Sequence, residues 1–502
     1  MDKETDAAST ASTPQDTKPA AASSDKKSFG RDVGKLVSGT VIAQVIGICL
    51  TPIITRIFNP DIYGIASVFT SIVAIITVIA CMRYELAILL PKDDKDAGAI
   101  FLLCLMILVG ISLLCIPVMF IFGEFIAEIM GNESVIRYLF LVPLAVFIDG
   151  LYLALRYWNT RRKRFWTQAA TQALQSVSAN GLKLGFGAAG FVFPGSLIAS
   201  QILGYGIGTA VLAVQAVRND LKLIAGSCSL KNIKRQMMQY RKFPLFDTWS
   251  SFINTLSWQL PVLMLTGFFS PAVAGLYTLG FQMLHLPMSL VGNSISQVFY
   301  QRASVEKHTG NLGFVVEDVA AVLLLLSVLP FLALGIIGGD IFGLIFGSEW
   351  YDAGVYVQIL CTWTIIWFVT SPLTMLFPTL ELQSQFLRFN ICNITARFLS
   401  LVIGGLSENI YLCLILFAGS GILTYGIMGI YVLIKSGCSV KSLWRKVYKE
   451  IVISFLCICG LAAVSITPVP RFILILTAMI TVGVYGIYLL KKNALVRSYI
   501  GK

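Results

Sequence analysis

Six ionisable side chains stand where the chain is otherwise apolar: Arg83 and Glu85, Asp149, Lys183, Asp247 and Arg397. Three polar stripes accompany them. Gln168, Gln172 and Gln175 recur at helical spacing, and Asn180 precedes Lys183 by three residues. Asp247, Ser250 or Ser251, Asn254 and Ser257 follow a second helical face. Asn390, Asn393 and Arg397 share a third, at i, i+3 and i+7. Residues spaced this way form no catalytic constellation, and no catalytic residue is assigned. They suit binding. Cations attract an anion, and amides exchange hydrogen bonds with hydroxyl groups in place of water. A carboxylate can take up and release a proton or a sodium ion, shifting a balance between two states.

The elements that hold these side chains must be membrane helices. The 502 residues are 56% hydrophobic and only 13% charged, with mean hydropathy +0.79, whereas a soluble protein carries about a quarter charged residues. Continuous apolar runs of about 20 residues recur from end to end, which predicts a polytopic helical protein. A β-barrel would alternate instead. Fourteen spans are expected, near 33–56, 62–90, 97–122, 135–158, 166–191, 195–217, 244–268, 272–299, 317–345, 353–378, 386–405, 409–434, 449–467 and 471–490.

Inside a bilayer an ionised group costs about 2.5–3.5 kcal/mol at a helix centre. One that persists there faces a cavity or a partner. Lys183 and Arg397 lie deep in the fifth and eleventh spans and read as cavity lining. Arg83 and Glu85 end the second span, where long side chains can also snorkel to the interface. Asp247 opens the seventh, where a carboxylate also favours the helix dipole. Asp149 interrupts the fourth and could pair internally. The expected substrate cavity comprises Arg83, Gln172, Asn180, Lys183, Asn254, Asn393 and Arg397, with Glu85, Asp149 and Asp247 as coupling candidates. Pro143, Pro261, Pro287, Pro330 and Pro372 fall within spans, where each tends to kink its helix.

Thirty-eight cations against 26 carboxylates leave a net charge of +12. The cations fall in alternate gaps, as in Arg161-Arg162-Lys163-Arg164, while the intervening gaps are acidic or uncharged apart from Arg137 and Arg471. Short basic loops stay cytoplasmic, so both termini are expected inside. The basic patches are topology determinants first, with membrane lipid contact secondary and no nucleic-acid partner. The outer gaps are too short for a catalytic domain, and no Walker-type phosphate loop is present. Eleven cysteines lie mostly in apolar segments, and Cys457-Ile458-Cys459 lacks partners. With two histidines, no metal and no cofactor are expected. Met1–Lys27 is polar and reads as a disordered tail rather than a signal peptide.

A junction occurs twice. Thr55-Arg56-Ile57-Phe58-Asn59-Pro60-Asp61-Ile62-Tyr63-Gly64 joins the first two spans, and Phe269-Ser270-Pro271-Ala272-Val273-Ala274-Gly275 joins the seventh and eighth, 211 positions later. Lys183 with Gly190, and Arg397 with Gly404, repeat at 214. Two homologous halves separated by a polar seam are the architecture of a secondary transporter. The expected organisation is a cytoplasmic tail (1–30), a six-helix lobe (31–219), a cytoplasmic linker (220–243), a second six-helix lobe (244–436) and two additional helices with a tail (437–502).

Several stretches carry a family resemblance: Thr55–Gly64 (TRIFNPDIYG), Arg83–Asp94 (RYELAILLPKDD), Lys242–Asn254 (KFPLFDTWSSFIN), Ala274–Ala303, which closes in QVFYQRA, Phe346–Gly354 (FGSEWYDAG) and Ser371–Phe377 (SPLTMLF). The chain resembles the oligosaccharide flippase, or Wzx-like polysaccharide transporter, family. That family sits in the superfamily of multidrug and toxin extrusion (MATE) transporters and the lipid II flippase. The resemblance implies an all-α, MATE-like fold of two facing six-helix lobes plus two C-terminal helices. It also implies translocation of undecaprenyl-diphosphate-linked oligosaccharide to the outer leaflet of a bacterial cytoplasmic membrane, alongside glycosyltransferases and a glycan polymerase. Two rivals are a multidrug or cation antiporter, which would want an acidic cavity, and a membrane glycan polymerase or ligase, which would want a catalytic outer loop.

Overall fold

The computed structural model describes residues 41, 43–129, 133–292, 295, 296, 299, 303, 306, 311–493 and 495–497. The expected tail and the start of the first span lie outside the described residues. Among the described residues all regular structure is helical. The first lobe contains α1 (Ala43–Ile57), α2 (Pro60–Ala80), α3 (Asp94–Ile129), α4 (Val142–Arg161), α5 (Phe165–Ala188) and α6 (Pro194–Gly226). An amphipathic linker helix, Leu230–Gln239, leads to the second lobe. That lobe contains α7 (Thr248–Phe268), α8 (Pro271–Pro287), α9 (Leu312–Phe346), α10 (Tyr351–Leu373), α11 (Gln383–Leu406) and α12 (Ile410–Lys435). The chain closes with α13 (Val440–Ile466) and α14 (Arg471–Lys492).

The repeated junction folds the same way twice. Asn59 caps α2, its side chain accepting the Ile62 amide at 3.0 Å, with Pro60 in the first turn. Ser270 caps α8 by accepting the Val273 amide at 3.3 Å, with Pro271 in the first turn. A cap satisfies an orphan amide, and a proline there lacks only a donor that has no partner anyway. Pro143 likewise lies in the first turn of α4 and kinks nothing. Pro261, Pro287, Pro330 and Pro372 are inside helices, and α8 runs out past Pro287 into a π turn, Met288–Gly292.

The second span breaks earlier than expected. α2 ends at Ala80, Met82 and Arg83 adopt left-handed backbone at φ 48° and 59°, and one helical turn, Tyr84–Ala87, follows. Such backbone costs about 1–3 kcal/mol per residue and persists where its surroundings hold it.

Nine helices, among the described residues, are long and apolar enough to cross a membrane. The remaining long helices are α4, α5, α7 and the 17-residue α8, with the shorter α1. α5 and α7 carry two of the polar stripes, and α11, apolar enough to span, carries the third.

Helices in lipid associate through close packing of small residues. Gly204 of α6 lies against the backbone of Ala179 in α5, Gly404 of α11 against Cys413 of α12, and Gly338 of α9 against Gly354 of α10. α2 packs on both α7 and α8, joining the lobes. α9 carries α13 and α14 on its outer side. There Lys446 meets Glu317 at 2.8 Å and Asp318 at 2.6 Å, and Ser442 donates to Glu317 at 2.6 Å. The first lobe has its own clasp. Buried Asp220 accepts from Trp158 at 3.0 Å and Arg164 at 2.7 Å, while Asp94 accepts from Arg161 and Arg162. Both clasps lie at the end of the bundle that holds the basic gaps, here called the basic end. The opposite end holds both junctions.

Candidate functional site

The lobes touch at both ends. At the junction end the contact is backbone against backbone: a side-chain carbon at Gly64 would overlap the Pro271 carbonyl, and one at Gly275 would overlap that of Pro60. Fully buried Trp350 donates its indole N–H to the Thr55 carbonyl at 2.8 Å and meets Tyr63 edge-on at 5.4 Å. Arg56 donates to the Leu344 carbonyl at 3.1 Å. At the basic end Arg83 Nε donates to Asp247 Oδ2 at 2.9 Å and reaches Glu85 at 3.7 Å. Glu85 is 1% exposed, and its second oxygen has no hydrogen-bond partner. Tyr84 donates to the Met237 carbonyl at 3.0 Å, so the broken end of α2 holds the linker helix and the start of α7 together.

Between these contacts lies a cavity of about 620 Å³ along the seam. From the first lobe it takes Tyr63, Thr70 and Ser71 of α2, Lys183 of α5 and Gln201 of α6; from the second, Trp258 and Gln259 of α7 and Gln282 and His285 of α8. Ser71 bonds Gln259 at 3.2 Å and Tyr63 bonds Gln282 at 3.4 Å, both across the seam. A second hollow of about 520 Å³ adjoins it, walled mainly by α1, α5 and α6 with Gln282 and Leu286 of α8 at its border. Arg156, Gln172, Gln175 and Asn180 line it, and Lys183 borders both spaces. Among the described residues none that lines either space is acidic.

The expected site residues thus separate. Lys183, Gln172 and Asn180 line the joined cavity, although Asn180 also donates to the Ser176 carbonyl of its own helix at 2.9 Å. Arg83, Glu85 and Asp247 form the basic-end contact. Asp149 faces a small space behind Gln201, beside Phe69 and Ile202. Asn254 and Asn393 line a third hollow in the second lobe. Arg397 lines none of these spaces; it is 1% exposed and enclosed by aromatic rings, its guanidinium carbon 4.5 Å from the centre of Trp258.

Lys183 and Arg397 also differ in depth. Lys183 is five residues from the end of α5, and Arg397 nine from the end of α11, one turn deeper. Their glycines do different work. Gly190 follows α5 with φ +83°, whereas Gly404 lies inside α11 against Cys413. Sequence reasoning missed Tyr63, Gln201, Trp258, Gln259, Gln282 and His285. The spacing of Gln282 and His285, three apart in an apolar helix, was the available signal.

Two lobes in contact at both ends of a polar cavity have the architecture of a membrane transporter. The family model described as polysaccharide biosynthesis protein matches residues 53–354, and the chain belongs to that family. It is 21% identical over 372 residues to the lipopolysaccharide biosynthesis protein WzxC of Escherichia coli K12, covering 73% of each chain. Its fold is that of the lipid II flippase MurJ in an inward closed conformation, with a TM-score of 0.67 at 12% identity, over 90% of this chain and 98% of that one. A Vibrio cholerae MATE transporter, VcmN, aligns at a TM-score of only 0.40 and 11% identity, over 84% of this chain and 98% of that one.

Proposed function

We propose that this protein moves an undecaprenyl-diphosphate-linked oligosaccharide from the cytoplasmic to the outer leaflet of a bacterial inner membrane, by alternating access. The basic end faces the cytoplasm in this reading, as the loop cations require. The lobes are residues 31–219 and 244–436, joined by 220–243, with 437–502 appended. The lipid tail stays in the bilayer while the glycan diphosphate occupies the seam. Lys183 and Arg156 attract the diphosphate, and the amides around them replace water at sugar hydroxyls. Arg83, Asp247 and Glu85 close the cytoplasmic side, and their parting admits the substrate. Glu85, Asp247 and Asp149 are the carboxylates through which H⁺ or Na⁺ couples to the cycle. Glycosyltransferases and a polymerase of one pathway supply the substrate and consume the product.

One observation carries this reading: a seam cavity bordered by a cation, amides and aromatic rings, without a lining carboxylate. Acid-free walls also count against a cation antiporter. The test reconstitutes the protein with an undecaprenyl-diphosphate-linked glycan and follows attack by a membrane-impermeant glycosidase. Transfer at least tenfold above protein-free vesicles is expected. Protein-free rates from folded protein, or uptake of lipophilic cations instead, would overturn the reading.

A further inference from the structure

The second lobe holds a hollow of its own, of about 140 Å³. Asn254 of α7, Asn390 and Asn393 of α11 and Thr424 of α12 supply its polar wall, with Trp258 and Tyr425 among its aromatic surfaces. Thr424 donates to the Asn393 side-chain carbonyl at 3.0 Å, which leaves the Asn393 amide N–H₂ as the donor for anything bound. Trp258 also borders the seam cavity. Arg397 covers one face of the indole, its guanidinium carbon 4.5 Å from the ring centre and 5.8 Å from that of Tyr425. That guanidinium is almost fully buried, and only Nη1 has a partner, Ser257. Nε and Nη2 have none. A cation against a desolvated indole face contributes about 2 kcal/mol and fixes the ring's orientation.

We propose that this hollow is a subsite for one uncharged pyranose unit of the transported glycan, with Trp258 as its stacking platform and Asn254, Asn390 and Asn393 as hydroxyl or acetamido readers. The proposal rests on the glycan-transport reading above. Its chemistry follows from the walls. A sugar ring has an apolar C–H face, which suits an aromatic surface, and a rim of donors and acceptors, which suits amides able to do both. Among the described residues that line the hollow none is charged, and the Arg397 guanidinium is almost fully buried among aromatic rings, so an anionic group finds no counter-ion exposed there. At about 140 Å³ the hollow is too small for a chain of sugar units. Asn254 follows Asp247 by seven residues, two turns along the same face of α7. The subsite therefore lies two turns inside the Arg83–Asp247 contact, on the path inward from the basic end.

Saturation-transfer difference NMR on the full-length protein in nanodiscs tests the subsite directly. The probes are glucose, galactose, N-acetylglucosamine and N-acetylgalactosamine, compared with glucuronic acid, inorganic diphosphate and decanoate. At least one uncharged sugar should show ring-proton transfer. That signal should fall at least tenfold in Asn393→Leu and in Asn254→Leu, each checked for folding by its melting curve, and survive Gly460→Ala, where α13 has open space for a side chain. A preference for glucuronic acid or diphosphate, a decanoate signal that displaces the sugar, or sugar binding unaffected by both asparagine changes would overturn the proposal. Binding of none of the four uncharged sugars would also overturn it. The two readings fail separately. Sugar binding without leaflet transfer removes the transport reading, and leaflet transfer without sugar binding removes the subsite alone.

Discussion

Arg83 and Asp247, 164 residues apart, meet at 2.9 Å and tie the first lobe to the second at the basic end. The pair is partly exposed, at 26% and 43%. Its worth to folding is therefore about 1 kcal/mol or less, and its consequence is positional. Arg83→Asp alone, or Asp247→Arg alone, should open the basic end. Maleimide labelling of a cysteine at Gln259, applied from that side, should rise several-fold in each single variant. In the double reversal it should return to near the starting rate. Unchanged labelling in the single variants would show that this pair does not govern access.

At the junction end Gly64 and Gly275 bring backbone against backbone, so the contact is sensitive to a single methyl group. Gly64→Ala should wedge α2 from α8 and cut leaflet transfer at least tenfold. Gly426, in α12, has open space where a side chain would grow, so Gly426→Ala is the matched control and should transport normally. Equal transport by both variants would show that the lobes tolerate separation there.

Lys183 and Arg397 are both cations, but their removal should have different outcomes. Lys183→Gln should reduce transfer at least tenfold while melting stays near normal, because its end borders open cavity. Arg397→Gln removes a guanidinium held by four aromatic rings and should destabilise the second lobe by about 2 kcal/mol. A melting comparison of the two purified variants separates these effects. A stable Arg397→Gln protein would mean that the ring contacts contribute little.

Lys446 neutralises Glu317, which is 2% exposed, at the seat of α13 on α9. Lys446→Ala should cost about 2 kcal/mol, because a buried carboxylate loses its partner. Adding Glu317→Gln should recover part of that loss, since no buried charge then remains. A double variant no more stable than the single one would place the energy elsewhere, and a thermodynamic cycle over the four proteins measures it.

The helices and the junction were legible in the sequence because their signals are local. Apolar runs report helices, and Asn59-Pro60 and Ser270-Pro271 report helix starts. The break after Ala80 was not legible. Met82 and Arg83 carry no glycine or proline signal, and contacts 164 and 153 residues away, to Asp247 and Met237, hold that turn. α13 begins at Val440 rather than near 449 because its first turns carry Lys441, Arg445 and Lys446, which hide a helix from an apolar count. Of the candidate site, Gln172, Asn180 and Lys183 of the α5 stripe border the joined cavity and Gln168 does not. Arg397 borders none of the cavities, because spacing gives a face and not what covers it: Trp258, Trp363, Phe417 and Tyr425 surround its guanidinium. Gln259 of α7 belonged to no stripe, and Gln282 of α8 had only its three-residue spacing from His285 to mark it; packing brought both to the seam.

The glycine contact at the junction end has one more consequence. Gly64 meets Pro271 and Gly275 meets Pro60, and each residue of one pair lies 211 positions from its counterpart in the other. In a symmetric dimer such reciprocity would make the interface isologous. Here both surfaces belong to one polypeptide, so the protein is in effect a dimer of unequal protomers joined covalently. Any movement of one half against the other is felt at both Gly–Pro contacts at once. The chemistry between the lobes is free to be as asymmetric as Lys183 and Arg397.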